Sequence, residues 1–461
     1  MAHSTHARVA RQLDYLRDTF GQQPGLPFAD LLPDDTPQVL GENTEPIYTP
    51  LVTLGMFLGQ VLDPLGSCRA AVARLLARLT ATGQPACSTN TGAYCKARAR
   101  LPEDALHALA RRTGGTRSER ADGRWLWRGR RVRIADGTTL TASDTTANQK
   151  EYPQPDGQKP GLGFPMLGLV VLFCLATGAV LEAAFCPYRG KATGEISLLR
   201  QVWADLDAGD ILLGDRIYCS YFEIALLRRR GIDVVCRKHQ SRRTDFRKGQ
   251  RLATHDHRIE WPKPTRPDWL ADAEYRALPA TPAVREVRVV VPNRGFRVRR
   301  FEVITTLPDS GPTTVSDLGE LYRRRWQAEL DLRSLKQSMG MDQLRCKTPA
   351  MVRKELWVYL LSYNLVRGAM AESAREATIP PGSLSFKGGV DTLLAFGAVL
   401  CELTGERREA TLRRLWKAVS THRVGNRPNR VEPRAIKRRK KSYPMLNQPR
   451  KLARQRLLQT A

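Results

Sequence analysis

The hydrophobic pattern of the chain changes near Trp125, and this change most constrains the fold. Before about Gly115, apolar residues recur every three or four positions, which is the period of an amphipathic helix. The clearest helices of this first part are predicted over 9–20, 51–62 and 70–79. After Trp125, short apolar strands alternate with helical segments such as 194–206 and 221–230. We therefore expect a helical N-terminal domain over 1–120, followed by a mixed α/β core.

The α/β core is expected to cover 125–345 and to contain an insertion. Residues 238–309 are rich in Arg, Pro and β-branched residues, which favours strands over helices. The best strands, 284–291 and 296–305, flank a Pro-Asn-Arg-Gly sequence at 292–295 that is typical of a hairpin turn. This segment therefore predicts a β-rich insertion in the core.

The end of the chain is predicted to be helical and then strongly basic. A helix is expected over 351–373, where apolar residues are dense. Residues 421–461 contain 13 Lys or Arg and a single acidic residue, Glu432. We expect 346–461 to form a helical region that ends in a loosely ordered, phosphate-binding tail.

An uncharged segment, 161–181, is long enough to imitate a membrane span. Pro165, Gly168 and the Thr177-Gly178 pair interrupt it, and its β-branched residues favour strands. We therefore predict two buried strands joined by a tight turn, and no membrane association.

The net charge of +28, from 74 Lys or Arg against 46 Asp or Glu, predicts a polyanionic partner. Nucleic acid is the natural candidate, although charge alone leaves ribosomal and chromatin-like proteins open. The nine cysteines are scattered and form no C-x-x-C pair, so neither a disulfide framework nor a structural zinc site is expected. Charged residues near the N-terminus do not suit a signal peptide, so we expect a cytoplasmic, nucleoid-associated protein.

A helix-turn-helix is a further possibility within the N-terminal domain. Residues 68–82 are followed by a Gly-Gln-Pro break and a second helix, capped by Ser88 or Asn90, that carries three cations. They are Lys96, Arg98 and Arg100. These cations would either contact DNA or form a solvated basic face, and the sequence leaves both interpretations open.

The most informative helix is predicted over 315–339, capped near Ser316 and ending at Gly340. Four of its residues fall within about 60° of one another at about 100° per residue. They are Tyr322, Arg325, Glu329 and Lys336. Such a face could bind a metal through its carboxylate and DNA phosphates through its cations, with the phenol adding a hydrogen bond or stacking on a base. The alternative is an exposed helix held by ordinary ion pairs one turn apart.

Two aspartates follow short apolar segments and are the best further metal ligands. Asp136 follows 132–135, and Asp215 follows 211–214. Carboxylates at strand ends can hold two divalent cations about 3.5–4 Å apart, which is the arrangement that cleaves phosphodiesters. The rival carboxylates are Asp144, Glu151 and Asp210, which lie in a loop or at the beginning of a strand. The chain has no Walker-type loop, so nucleotide hydrolysis is not expected.

The order of these carboxylates resembles that of the DDE transposases. The Tyr322, Arg325, Glu329 and Lys336 spacing matches the tyrosine-arginine-glutamate-lysine signature of bacterial insertion-sequence transposases of the insertion-sequence-four family. The resemblance implies a ribonuclease-H-like catalytic core with a β-rich insertion. It also implies two magnesium ions, replaceable by manganese, as cofactors.

The resemblance further implies cut-and-paste transposition by a homodimer that pairs the two inverted-repeat ends, cuts them through DNA hairpins, and inserts the element into target DNA. Asp136, Asp215 and Glu329 would be the catalytic metal ligands, and Tyr322, Arg325 and Lys336 would contact DNA. An aromatic residue of the insertion would hold a flipped base, with Trp261 as the first candidate and Trp269 as the second. The rivals are another metal-dependent nuclease on the same fold and an inactive DNA-binding relative.

Overall fold

The computed structural model describes most of the chain from Leu32 to Gln459. The described residues are 32–33, 35–41, 45, 47–63, 66–81, 83–290, 300–307, 313–400, 403, 405–425 and 446–459. Three predicted features lie wholly or mainly outside them. These are the helix over 9–20, the turn at 292–295 and the basic tail between 426 and 445.

Helices precede, interleave with and follow the strands. The described helices are α1 Thr36–Leu40, α2 Pro50–Leu62, α3 Cys68–Ala81, α4 Gly92–Arg100, α5 Glu103–Glu119, α6 Thr146–Glu151, α7 Glu195–Gln201, α8 Tyr221–Arg229, α9 Asp272–Arg276, α10 Val315–Arg324, α11 Trp326–Arg333, α12 Pro349–Glu376, α13 Phe386–Leu400, α14 Gly405–Thr421 and α15 Arg450–Gln459. The strands are β1 Val132–Ala142, β2 Met166–Cys174, β3 Val180–Pro187, β4 Ile211–Gly214, β5 Asp233–Arg237, β6 Gln250–Ala253, β7 Asp256–Glu260, β8 Ala283–Val290, β9 Arg300–Thr305 and β10 Gln343–Leu344.

One sheet contains all ten described strands, in the order β3-β2-β1-β4-β5-β9-β8-β7-β6, with β10 pairing to β1 beside this path. β2 and β3 run antiparallel to their neighbours, whereas β4 lies parallel to β1 and β5 lies parallel to β4. The predicted mixed α/β class is therefore confirmed.

The first strand is longer than the sequence suggested. Asp136 was expected where the strand ends, but it is the fifth of the 11 residues of β1. It faces Val171 of β2 on one side, and pairing with β4 on the other side ends at Ile134 and Leu213. Asp136 therefore lies beside the end of β4 and not at the end of its own strand. At Asp136 the backbone of β1 is no longer paired with β4.

The uncharged segment forms the predicted buried hairpin, β2 and β3. Its turn contains Gly178 at φ +74°, where a Cβ would lie 2.9 Å from the Arg367 guanidinium carbon. Tyr363 of α12 donates a hydrogen bond to the Gly178 carbonyl at 3.0 Å. The hairpin thus packs against α12, and no helix in the described part of the chain is long and apolar enough to cross a membrane.

The β-rich segment is present and widens the central sheet. β9 pairs antiparallel with β5, and β8, β7 and β6 follow outward in a continuous meander. The segment therefore does not fold as a separate body beside the sheet. Its strands extend the edge that begins at β5.

The N-terminal and C-terminal helices pack around this sheet. α2, α3 and α4 share a small apolar cluster that includes Val52, Val72 and Tyr94. α12, found slightly longer than its predicted 351–373, buries most of its residues against α5, the hairpin and α14. At the end of the chain α15 is helical where a loosely ordered tail was expected, and none of its residues is buried.

Candidate active site

Parallel pairing of β1 and β4 positions the two predicted aspartates. Ile134 lies beside Leu213, so continuing the register by two residues places Asp136 beside Asp215. Both side chains are half-buried, and Asp136 Oδ1 accepts the backbone N–H of Gly137 at 3.0 Å. Two carboxylates from adjacent strands therefore lie on the same side of the sheet near the carboxyl end of β4, and both act electrostatically on the phenol of Tyr218.

The third carboxylate is on a helical segment that is not the single regular helix we predicted. α10 ends at Arg324, α11 begins at Trp326, and a π-helical turn covers Ser334–Ser338. Thr314 caps the N-terminus of α10 and forms a capping box with Asp317. The cap predicted near Ser316 is therefore wrong by two residues. The π-turn shifts the register, so helical-wheel angles cannot be extended to Lys336.

The four signature residues have different environments. Tyr322 is 9% exposed and packs against Phe301, with ring centroids 5.1 Å apart. Arg325 Nη2 donates to Glu329 Oε1 at 2.6 Å. Lys336 Nζ donates to the Thr138 hydroxyl at 2.9 Å, two residues beyond Asp136. The charged groups of Arg325, Glu329 and Lys336 thus lie near β1, whereas the phenol of Tyr322 is largely buried.

Electrostatic interactions connect the carboxylates. Burial raises the pKa of Asp136 to about 6, with a further rise from the nearby carboxylates of Glu195 and Glu329. The guanidinium of Arg325 opposes this rise in the Asp136 pKa. Asp136, Glu329 and Glu195 therefore act on one another, and a bound cation would stabilise the ionised form of Asp136.

Glu195 is a site residue that sequence reasoning missed. It is the first residue of α7, and its Oε1 accepts the hydroxyl of Tyr218 at 2.5 Å. The sequence indicated only that a helix begins here, and no spacing connects this residue to the signature. The β2–β3 hairpin lies between Asp136 and Glu195 in the sequence. It brings the chain back beside β1 and so places Glu195 near Asp136.

The rival carboxylates do not join this cluster. Asp210 is fully buried and pairs with Arg133 at 2.9 Å, before β4 begins. Asp144 is exposed and accepts a hydrogen bond from Gln149, and Glu151 is exposed at the end of α6. Asp210 is therefore part of a structural ion pair, and the other two lie on the surface.

The donor set suits a hard divalent cation, since all its ligands are carboxylate oxygens. In the described part of the chain, no Lys or Arg lies within ion-pair distance of Asp136, Asp215 or Glu195, although the chain carries a net charge of +28. No three Asp, Glu, His or Cys residues among those described converge on one point, and Glu329 is bonded to Arg325. Asp136, Asp215 and Glu195 thus offer the ligand chemistry that a hard cation needs, while Glu329 is held by Arg325.

Besides Tyr322, two predicted DNA contacts are buried. Arg98 is 8% exposed and donates to Gln60, which leaves Lys96 and Arg100 as the exposed cations of α4. Trp261 is 4% exposed, its indole N–H is bonded to Glu286, and Arg242 covers its ring at 3.8 Å. Because neither face of a buried ring is open to a base, Trp261 does not join the proposed DNA contacts.

Trp269 is the more accessible of the two insertion tryptophans. It is 44% exposed, and the Arg200 guanidinium lies 3.4 Å from its ring centroid. One face of the ring is therefore occupied by a cation, and an exposed part of the ring remains for a ligand.

The chain is similar to a known protein family over more than half of its length. A family model described as a transposase DDE domain matches residues 127–365. Transposase InsG for insertion sequence element IS4, from Escherichia coli (strain K12), is 26% identical over 330 residues, covering 69% of this chain and 70% of that protein. The cryo-EM structure of the piggyBac transposase synaptic complex with hairpin DNA aligns over 89% of this chain and 85% of that chain, at 9% identity and a TM-score of 0.41. The family match spans all the carboxylates described above.

Proposed function

Because the chain belongs to the DDE transposases of the insertion-sequence-four kind, we propose that it moves its element by a cut-and-paste reaction. In this reaction the enzyme binds the terminal inverted repeats, cuts each end through a DNA hairpin, and joins the excised ends to target DNA. The homodimer of the synaptic complex is part of the same proposal. The N-terminal helices, with Lys96 and Arg100 exposed on α4, are assigned to DNA binding.

The strand order supports a ribonuclease-H-like core over 125–345. β2 lies between β3 and β1 and runs antiparallel to both, and β4 and β5 follow in parallel on the other side of β1. The segment 238–309 continues outward from β5, away from the carboxylates on β1 and β4. An insertion at this edge widens the surface without interrupting the proposed site.

Asp136, Asp215 and Glu329 are proposed to hold the divalent cations. When bound, two such ions supply charge stabilisation at the attacking and leaving oxygens of the phosphodiester. For Glu329 to join the two aspartates, its carboxylate must leave Arg325, to which it is bonded at 2.6 Å. The freed guanidinium would then be available to a phosphate oxygen, so one exchange of partners serves both the metal and the DNA.

Lys336 is proposed to act at the same place from the other end of the helix. Its ammonium group donates to Thr138 and to the Thr139 carbonyl, which leaves a third N–H for a phosphate oxygen. A cleft of about 720 Å³ opens beside it, lined in part by Thr138, Glu195, Tyr188 and Arg189. We assign this cleft to the DNA strand that approaches Asp136.

The proposal is supported by the parallel register of β1 and β4, which continued by two residues aligns Asp136 with Asp215, and by the electrostatic effect of Glu329 on Asp136. Asp136→Asn, Asp215→Asn and Glu329→Gln should each abolish cleavage of an inverted-repeat duplex with Mg²⁺ or Mn²⁺, because each removes a ligand. Binding to the same duplex, measured by gel shift, should remain close to wild type. Asp144→Asn, at an exposed rival position, is the matched control and should cut normally.

Cleavage by any one triad variant at the wild-type rate would remove that residue from the metal centre. The choice of DNA tests the rival functions. Equal cutting of inverted-repeat and random duplexes would indicate a general metal nuclease. Binding without any cutting by the wild-type chain would indicate an inactive relative.

A further inference from the structure

A tyrosine and a glutamate fill the space beside the two aspartates. Gly137 follows Asp136, and a Cβ placed on it would lie 2.5 Å from the carboxyl carbon of Glu195. Gly214 precedes Asp215, and a Cβ placed on it would lie 2.4 Å from the ring of Tyr218. Neither glycine has a positive φ, so backbone conformation does not require them. Because Gly137 and Gly214 have no Cβ, they leave space that the side chains of Glu195 and Tyr218 occupy.

The tyrosine fixes the direction of the glutamate. Tyr218 is 1% exposed, and its backbone N–H donates to the Asp215 carbonyl at 3.1 Å. Its hydroxyl donates to Glu195 Oε1 at 2.5 Å, the short length expected of an O–H bonded to a carboxylate. A buried ring anchored to the turn after β4 therefore holds the half-buried Glu195 carboxylate over the residue next to Asp136.

The second oxygen of Glu195 has no protein partner in the part of the chain that the structure describes. Several buried carboxylates elsewhere are paired with arginine, among them Asp256 with Arg285 at 2.5 Å and Asp210 with Arg133 at 2.9 Å. Glu195 is held by a neutral phenol instead. No Lys or Arg among the described residues is paired with it, so its second oxygen is open to a cation from outside the chain.

We infer that Glu195 is a fourth carboxylate of the metal centre and that Tyr218 is its positioning residue. The inference rests on the proposed function, since it adds a ligand to the cations that Asp136 and Asp215 would hold. Glu195 would bind a cation, or a water on it, through the oxygen that Tyr218 does not use. Tyr218 would preserve the orientation of that oxygen, as groups behind a metal ligand commonly do.

The test is a titration of the full-length chain with Mn²⁺ alone, in which electron paramagnetic resonance reports the free ion. Glu195→Gln should weaken Mn²⁺ binding by about tenfold or more. Tyr218→Phe keeps the negative charge but removes the orienting bond, so it should weaken binding less, by about threefold to tenfold. Glu406→Gln is the matched control, because Glu406 is also a first-turn glutamate and is exposed on α14. It should bind Mn²⁺ as the wild type does.

Asp136→Asn distinguishes failure of the fourth carboxylate from failure of the metal centre itself. If it loses Mn²⁺ binding while Glu195→Gln binds normally, the fourth carboxylate is overturned and the metal centre remains. If Asp136→Asn also binds normally, the metal centre of the proposed function is overturned as well. Should Glu195→Gln fail to fold, Glu195→Asp withdraws the carboxylate by one methylene while keeping its charge, and unchanged Mn²⁺ binding by that variant would equally overturn the inference.

Discussion

Arg325 and Lys336 show how two cations of one signature reach the same site in different ways. Arg325 is bonded to Glu329, whereas Lys336 is bonded to β1 two residues beyond Asp136. Neither side chain uses all its N–H donors in these bonds, because a guanidinium has five N–H groups and an ammonium has three. Each residue can therefore support the site and bind a phosphate.

Arg325→Ala or Lys336→Ala should weaken binding to inverted-repeat DNA and reduce the slope of log affinity against log salt by about one for each phosphate that is no longer neutralised. Fluorescence anisotropy at several salt concentrations measures this slope. Arg414→Ala, an exposed arginine on α14, is the control and should leave the slope close to that of the wild type. Unchanged slopes in both site variants would show that these cations serve only the internal bonds.

At the scale of elements, the closest approach is between α5 and β3. Gly114 of α5 lies so near the hairpin that a Cβ on it would be 1.8 Å from the Val180 carbonyl oxygen. The amide of Asn364 on α12 donates to the same carbonyl at 2.8 Å and to the Ala110 carbonyl at 2.9 Å. α5 precedes the sheet in the sequence and α12 follows it. Both helices thus pack closely against the β2–β3 hairpin, which lies beside β1.

Gly114→Ala should lower the free energy of unfolding by about 3 kcal/mol or more, because the backbone of β3 would have to move. Gly115→Ala in the same helix is the matched control, since no atom lies within 4 Å of a Cβ there. That variant should be neutral or more stable by about 0.5–1 kcal/mol, because alanine favours the helix. Equal denaturant midpoints for the two variants would contradict the close packing of α5 on β3.

His107 makes the same contact between elements sensitive to pH. It stacks on Trp357 of α12, with ring centroids 4.1 Å apart, and its ring N–H donates to Glu182 of β3 at 2.8 Å. This hydrogen bond raises the pKa of His107 in the folded state. Protonation therefore favours the folded chain below the unfolded pKa of histidine, and this contribution disappears as pH rises through the folded pKa.

The free energy of unfolding should consequently fall between about pH 6 and pH 8, with part of the fall due to this one residue. His107→Gln should flatten that part of the profile when urea denaturation is repeated across the range. The half-exposed position of His107 keeps the effect modest. A profile identical to that of the wild type would show that the His107–Glu182 bond does not favour the protonated ring.

At the scale of the whole molecule, a large share of the net positive charge lies in the last 41 residues. The segment 421–461 carries 13 of the chain's 74 Lys and Arg residues, and its helix α15 buries nothing. Removal of α15 should therefore leave the core intact. Charge of this kind acts by releasing counterions from DNA, without reading its sequence.

Truncation after Gly425 should leave the melting temperature close to that of the full chain but should weaken binding to random duplex DNA at low salt and flatten its salt dependence. A tail of equal length with Gln at each Lys and Arg is the matched control and should behave like the truncation. Full affinity in either protein would assign nonspecific binding to the folded helices and sheet instead.

The sequence alone determined the features that local spacing encodes. The alternation of strand and helix, the uncharged hairpin and the placement of Glu329 between Tyr322, Arg325 and Lys336 all depend on residues near one another in the chain. Hydrophobic period and helical repeat express such relations directly. The class of protein could be predicted for the same reason, since its signature is a short stretch.

Only the tertiary structure decided how distant segments meet. The parallel register of β1 and β4 aligns Asp136 with Asp215, and packing of α7 against the hairpin brings Glu195 close to Asp136. The same long-range packing buries Arg98, for which the sequence left DNA contact and solvent exposure both open, and Trp261, which the family resemblance had suggested for DNA. Which strands pair, and which side chains are enclosed, depends on contacts between residues far apart in sequence, and no local period records them.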